Sequence, residues 1–307
     1  MSVDFKDVLI LTSKNSSLVG KTLMGYGVKV ESIWKNDHYS SRKFKLLSMI
    51  GQEHLLFGFK KEDILEHNKI IISENNRMGD IVKFIRKYNE HCDIKIYLWT
   101  PINKKYKKEV ELLKDMNVDI YSFDMEDCKR YKLYYNHQPV SYLNKIKNIT
   151  EKIEYDCYFC GSDKNRIDEI IRIKNMLMND NITFKIKVLI GKKNLNVNLK
   201  DIDLLHKEIS YDEILNETKK AKCILEIIQE GQSGWTLRTM EALFLDKKLI
   251  TNNKNIKNFD FYNPSNIFVL DNNYEEIKTF LNIPYINVSE EIKQRYSFES
   301  WIENFFK

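Results

Sequence analysis

Short runs of β-branched and aromatic residues alternate with amphipathic stretches from one end of this sequence to the other, and nothing else in it restricts the fold as much. In the first half the runs occupy residues 7–12, 28–34, 69–73, 94–99 and 119–123. Between them the spacing predicts helices over 78–88, where Ile81, Phe84, Ile85 and Tyr88 share a face, and over 106–116. The second half repeats the plan, with runs at 155–160, 184–190, 222–227, 248–252 and 267–271 and helical patterns at 163–178, 211–221, 236–245 and 274–281. Strand followed by helix, repeated, requires a parallel sheet covered on both faces. A chain of 307 residues is too long for one ordinary core and suits two. The expected fold class is therefore α/β, with two doubly wound domains, residues 1–150 and 151–288, facing a central cleft. A linker is expected within 134–153, where Pro139 and polar residues remove any period. The segment 289–307 reads as a helix. Its aromatics (Tyr296, Phe298, Trp301, Phe305, Phe306) are too many for a free tail, so it is expected to pack on another part of the chain.

Composition closes several other classes. Hydrophobic residues make up 43% and charged residues 30%, which excludes a disordered chain. No run of eighteen apolar residues occurs and the N-terminus lacks a signal-peptide layout, so a cytosolic protein is expected. The five cysteines are odd in number and widely spaced, as reduced thiols are. Cys157 and Cys160 form a C-x-x-C, but inside a strand pattern and without the second pair that zinc needs, so they read as structural thiols. The first 150 residues carry 26 Lys and Arg against 19 Asp and Glu, and the remainder 23 against 25. A basic first half is expected where a domain faces an anionic surface or acceptor. Nucleic acid is the other reading, but no helix-turn-helix or zinc-finger pattern is present, and Lys104, Lys105, Lys107 and Lys108 read as the solvated first turn of a helix.

Ligands of open parallel sheets sit beyond the carboxyl ends of the strands, where the order reverses. Two stretches fit that place. In 226–241 a strand ends, a loop with Gly231, Gln232, Ser233 and Gly234 follows, and a helix begins near Thr236. Backbone N–H groups and a helix N-terminus there suit phosphate. Arg238 can add a charge-assisted contact, and Glu241 can accept both hydroxyls of a ribose. The alternative is a capped helix with Arg238 and Glu241 as a solvent-facing i, i+3 pair. The second stretch is Gly161, Ser162, Asp163, Lys164, Asn165, Arg166: the glycine allows close approach, and Lys164 and Arg166 bring two cations. It also reads as a turn with Asp163 as helix cap. Tyr211, beside Ile209 and Ser210, lies where base choice is expected.

Weaker signals complete the survey. Gly20, Lys21 and Thr22 resemble the end of a P-loop, but its first glycine would fall at Asn15, and no G-x-G-x-x-G follows the first strand. Asp201, Ile202 and Asp203 form a D-x-D, read as helix N-terminal charge rather than a metal site. Asp124 and Asp127 end a first-domain strand as cleft carboxylates or helix caps, and His137 is the one histidine considered for proton transfer.

This arrangement resembles the GT-B class of glycosyltransferases, in particular bacterial enzymes of capsule and lipopolysaccharide biosynthesis: two Rossmann-like domains, acceptor side first and donor side second, then a terminal helix, which the resemblance implies for 289–307, packing back towards the first domain. The most specific part is residues 232–243 followed by 246–251, similar to the helix and strand that grip a nucleotide-sugar. The resemblance implies that Glu241 holds the ribose and that Lys164 and Arg166 neutralise a diphosphate. Many retaining members carry Glu-x7-Glu; here Ser233 stands eight residues before Glu241, with Glu230 the nearest glutamate. The implied activity is metal-independent transfer from a nucleotide-diphosphate sugar, used as substrate with no cofactor, to a lipid-linked glycan at the inner membrane face. A base could come from Asp124, Asp127 or His137. A sugar-nucleotide epimerase or phosphorylase, or a non-catalytic binding protein, would share the cleft.

Overall fold

A strand in the middle of a parallel sheet is buried on both faces, and β1 (Val8–Thr12) is buried along its whole length. The computed structural model describes residues 3–12, 27–36, 41–139, 151–190, 199–229, 234–271 and 274–307. The chain forms two units, Met1–Ser141 with Phe298–Lys307, and Tyr142–Ser297. After β1 the first contains β2 (Lys29–Ser32), α1 (Ser41–Met49), α2 (Lys61–Glu66), β3 (Lys69–Ser73), α3 (Met78–Tyr88), β4 (Asp93–Leu98), α4 (Lys104–Lys114), β5 (Asp119–Ser122), α5 (Met125–Tyr131) and β6 (Tyr134–Tyr135). The second contains β7 (Tyr155–Ser162), α6 (Ile167–Asn179), β8 (Phe184–Leu189), β9 (Asp203–Leu205), α7 (Tyr211–Lys219), β10 (Ala221–Glu226), α8 (Leu237–Phe244), β11 (Lys248–Thr251), β12 (Ile267–Val269), α9 (Ile277–Asn282) and α10 (Glu290–Arg295). Helix α11 (Phe298–Glu303) returns to the first unit.

Each unit has a six-stranded sheet, in the orders β2-β1-β3-β4-β5-β6 and β12-β11-β10-β7-β8-β9, with every strand pair parallel. The doubly wound α/β architecture expected from the sequence is present in both. In the first unit Leu9, Leu11, Ile70 and Ile72 join α3 and α4 in one core cluster. Their neighbours Val8, Ile10 and Ile71 join a second cluster with Tyr97, Tyr121, Phe298, Trp301, Ile302 and Phe305. Helix α11 thus covers one face of that sheet. Trp301 packs edge-on against Tyr97 at 5.2 Å and Phe305 at 4.9 Å, and its carbonyl accepts from Asn136 Nδ2 at 2.9 Å.

Three elements differ from expectation. The segment 289–307 is two helices rather than one: α10, capped by Ser289, ends at Arg295, and Ser297 separates it from α11. Tyr134 and Tyr135, in the expected linker, pair as an edge strand with β5, while 140–150 lie outside the described residues. Asp201 and Asp203 do not open a helix. Asp201 turns the chain with φ 66°, and Asp203 begins edge strand β9, which bonds β8 on one side only and so tolerates charge. Among the described residues no helix is long and apolar enough to cross a membrane. All five thiols are free; Cys157 is buried opposite Cys223 on the neighbouring strand and Cys160 is half-buried.

Replacing Trp301 by Ala should cost about 3–5 kcal/mol, read as a lower urea midpoint for the first unit. A loss under about 1 kcal/mol would mean that α11 does not close this core.

Candidate functional site

The second sheet reads 3-2-1-4-5-6 when its strands are numbered in chain order. From β7 the chain winds out through β8 and β9, then returns at β10 beside β7 and winds the other way. The carboxyl ends of β7 and β10 therefore bracket the reversal point, the ligand-binding position of open α/β sheets. Both stretches singled out in the sequence begin there, 161–166 with the last two residues of β7 and 226–241 with the last residue of β10, residues 230–233 lying outside the described ones.

The last residue of β10 is Glu226, 1% exposed, which sequence reasoning treated only as a strand end. A buried carboxylate needs donors on both oxygens. Its Oε1 accepts from Thr236 Oγ1 (2.5 Å), Thr239 Oγ1 (2.6 Å) and the Thr236 amide (3.2 Å), and Oε2 accepts from Thr251 Oγ1 (2.6 Å). Three threonines from α8 and β11 thus converge on one carboxylate. Thr236 is also the N-cap of α8, accepting from the Arg238 amide at 3.0 Å. Gly234, just before it, is buried and accepts from Asn253 Nδ2 at 3.4 Å. The spaced threonines at 236, 239 and 251 were the available signal for this network.

Helix α8 carries Arg238 and Glu241 one turn apart. They are an i, i+3 pair, but not a solvent-facing one: Glu241 is fully buried, and its Oε2 lies 2.5 Å from Arg238 Nη1. Its Oε1 accepts from the Tyr211 hydroxyl at 2.8 Å, and the Arg238 guanidinium lies 6.0 Å from the Tyr211 ring centre. Burial pushes the Glu241 carboxyl upward, opposed by the guanidinium and the phenol. Burial would lower Arg238, yet Glu241 holds it above the usual arginine value, so the cation persists at every physiological pH. Tyr211, from the first turn of α7, is held against α8 by its hydrogen bond to Glu241.

The loop after β7 is stapled to this region by Arg166. Its guanidinium donates to the carbonyls of Ser162 (2.5 Å), Asp163 (3.3 Å) and Ile227, the last in the loop after β10. A side chain engaged in this way ties two loops together. Gly161 leaves room for it: a Cβ there would come within 3.3 Å of Arg166 Nη2 and 3.2 Å of the Phe159 ring. Lys164 and Asn165 both take left-handed backbone conformations, φ 43° and 63°. Lys164 is exposed at this edge, its ammonium held below its ordinary pKa by local desolvation and by Arg166.

The first-unit candidates have defined partners. Asp124 caps α5, its Oδ1 accepting from the amides of Glu126 and Asp127 at 3.0 and 3.1 Å. Asp127 Oδ2 accepts from the Ile102 amide at 2.7 Å, and burial raises its carboxyl. His137 is buried, with Nδ1 3.0 Å from the Gln138 carbonyl, and burial pulls its pKa down to about 4. Glu230, Gln232 and Ser233, like 15–22, lie outside the described residues. No group of three or more His, Cys, Asp or Glu that could hold a metal ion occurs among the described residues.

No protein-family model matches this chain, and no curated protein sequence does. Solved structures similar to it include a glycosyltransferase from Rickettsia africae ESF-5, 10% identical, covering 98% of this chain and 94% of that one with a TM-score of 0.49. The kitacinnamycin glycotransferase is 8% identical over 98% of both chains, TM-score 0.48. The UDP-GlcNAc 2-epimerase of Methanocaldococcus jannaschii, solved with UDP-GlcNAc and UDP, is 14% identical over 94% of this chain and 97% of that one, TM-score 0.40.

Glu226→Ala leaves three hydroxyls, two of them on fully buried threonines, without their acceptor and should cost about 3 kcal/mol or more in urea unfolding; retention of wild-type stability would mean the network is not structural. The depressed His137 pKa gives a second expectation. Its stabilising contribution is present above about pH 6.5 and is lost as pH falls towards about 4, because only the unfolded chain takes up the proton there. The loss should approach about 3 kcal/mol. His137→Gln should flatten the stability profile across that window, and an unchanged slope would contradict the assignment.

Proposed function

We propose that the chain is a glycosyltransferase that takes a sugar from a nucleotide-diphosphate donor bound at the reversal point of the second sheet. The observation that carries this reading is Arg238, in the first turn of α8 at the carboxyl end of β10, with its charge maintained by a fully buried Glu241. Breaking the anomeric bond builds positive charge on the sugar ring and negative charge on the departing diphosphate. A helix N-terminus, Arg238 and Lys164 are preorganised groups that would meet the second of these charges. Glu241 would accept ribose hydroxyls at the Oε1 position that the Tyr211 phenol occupies, so nucleotide binding would displace Tyr211 from it. Arg166 would act by holding the two loops in register.

The chain's own cations would meet the leaving-group charge, so turnover should persist in EDTA. The acceptor proposed is a lipid-linked surface glycan reached at the cytosolic membrane face, supported by the excess of basic residues in the first 150. An inverting reaction would need a base. Asp127 and His137 are the proposed sources, since Asp124 is committed to capping α5.

UDP, GDP, ADP and CMP at millimolar concentration test the donor site by thermal unfolding. At about 100 times Kd a nucleotide adds about 2.7 kcal/mol, a rise of several degrees for a chain of this size. Arg238→Gln should weaken that nucleotide about tenfold or more by removing a charge-assisted contact. No shift with any of the four would refute the reading.

A further inference from the structure

A separate surface of the first unit has a chemistry of its own. Helix α1 is anchored through Phe44, which is buried with its ring 5.9 Å from Trp34 and 6.3 Å from Phe57, the Arg77 guanidinium lying 4.9 Å above it. At about 100° per residue, the positions opposite Phe44 are 42, 46 and 49, flanked by 43 and 50. These are Arg42, Leu46, Met49, Lys43 and Ile50. Leu46 is 64%, Met49 76% and Ile50 62% exposed, and Leu55, in the 3-10 turn packed beside the helix, is 47% exposed. Arg42, Lys43 and Lys45 are exposed on the same helix, and no Asp or Glu occurs between Asp37 and Glu53.

Single exposed apolar residues are ordinary, but two on the outer face of one short helix and a third in the turn directly after it, interleaved with cations and no acids, are not. Each class of occupant makes a different demand. A second copy of the chain would bring the same cations against these through a self-complementary contact, with nothing to neutralise them. A nucleic acid would use the cations and leave the aliphatic side chains in water. An anionic lipid surface satisfies both, because acyl chains take the apolar tips while phosphates meet the charges. The geometry points to α1 as the docking element for an anionic bilayer, lying in the interface with Leu46, Met49 and Ile50 among the acyl chains and Arg42, Lys43 and Lys45 at the phosphate level. This surface uses none of the donor-site residues, so it stands independently of the transferase reading.

Flotation of the full chain with phosphatidylglycerol vesicles, with phosphatidylcholine vesicles as the reference, tests it. Binding should be confined to the anionic vesicles and fall steeply in salt, as the screening length shrinks from about 10 Å at 0.1 M to about 3 Å at 1 M. The triple variant Leu46→Gln, Met49→Gln, Ile50→Gln should lose binding about tenfold or more, and Arg42→Gln with Lys43→Gln about fivefold per charge. Both variants should keep the wild-type melting temperature and any nucleotide-induced shift. Four results would overturn the proposal: no binding by the wild-type chain, equal binding by the triple variant, a melting temperature lowered by several degrees in that variant, or a wild-type dimer in light scattering that the variant abolishes. The third would mean the face is packed inside the protein, and the fourth that its occupant is another copy.

Discussion

The candidate site hangs from one buried carboxylate. Glu226 ends β10 inside a hydrophobic sheet, where a carboxyl group is tolerated only if its oxygens are met by donors. Threonine hydroxyls and an amide from α8 and β11 supply them. The arrangement fixes where α8 begins, and through that the direction of its first turn, on which Arg238 and Glu241 are carried. Arg166 does the same for the neighbouring loop, reaching across to the Ile227 carbonyl. The segments that carry Arg238 and Lys164 are thus fixed by polar groups beneath them, the support that the proposed preorganised binding would require.

How much of this could be read in advance follows from what each signal measures. Hydrophobic periodicity reports burial, so the strongly buried strands β1, β3, β4, β5, β10 and β11 were legible, as were the partly buried β7 and β8 and the amphipathic helices α3, α6 and α8. The edge strands β6 and β9 were not. Tyr134 and Tyr135 are exposed and Asp203 is charged, because an edge position demands neither burial nor alternation. The break between α10 and α11 was hidden for a different reason: an aromatic-rich stretch looks continuous whether its rings face one core or two. Tyr296 packs on Trp235 and Phe261 in the second unit, and Phe298 onward joins the first.

For the site, sequence read both stretches as strand ends opening helices, which they are, and it named Arg238, Glu241 and Tyr211, of which Glu241 contacts the other two. Pairwise roles were less accessible. Arg166 and Lys164 have the same charge two residues apart, yet one is engaged by three carbonyls and the other is exposed. Asp124 and Asp127 look alike in the sequence, and only the course of the chain decides that one caps its own helix while the other receives the Ile102 amide. Glu226 escaped notice because a glutamate at a strand terminus is ordinary until the hydroxyls around it are seen.

The route of the chain through the two cores carries a consequence for biogenesis. One face of the N-terminal sheet is covered by residues 298–307, which leave the ribosome after the whole second unit has been made. Until then Ile10, Ile71, Tyr97 and Tyr121 lack the α-helix that packs on them among the described residues, and a nascent chain carries this apolar sheet face without it through most of its synthesis. The N-terminal unit is translated first and completed last, which makes the interval between those two events its period of greatest exposure to chaperones and to aggregation.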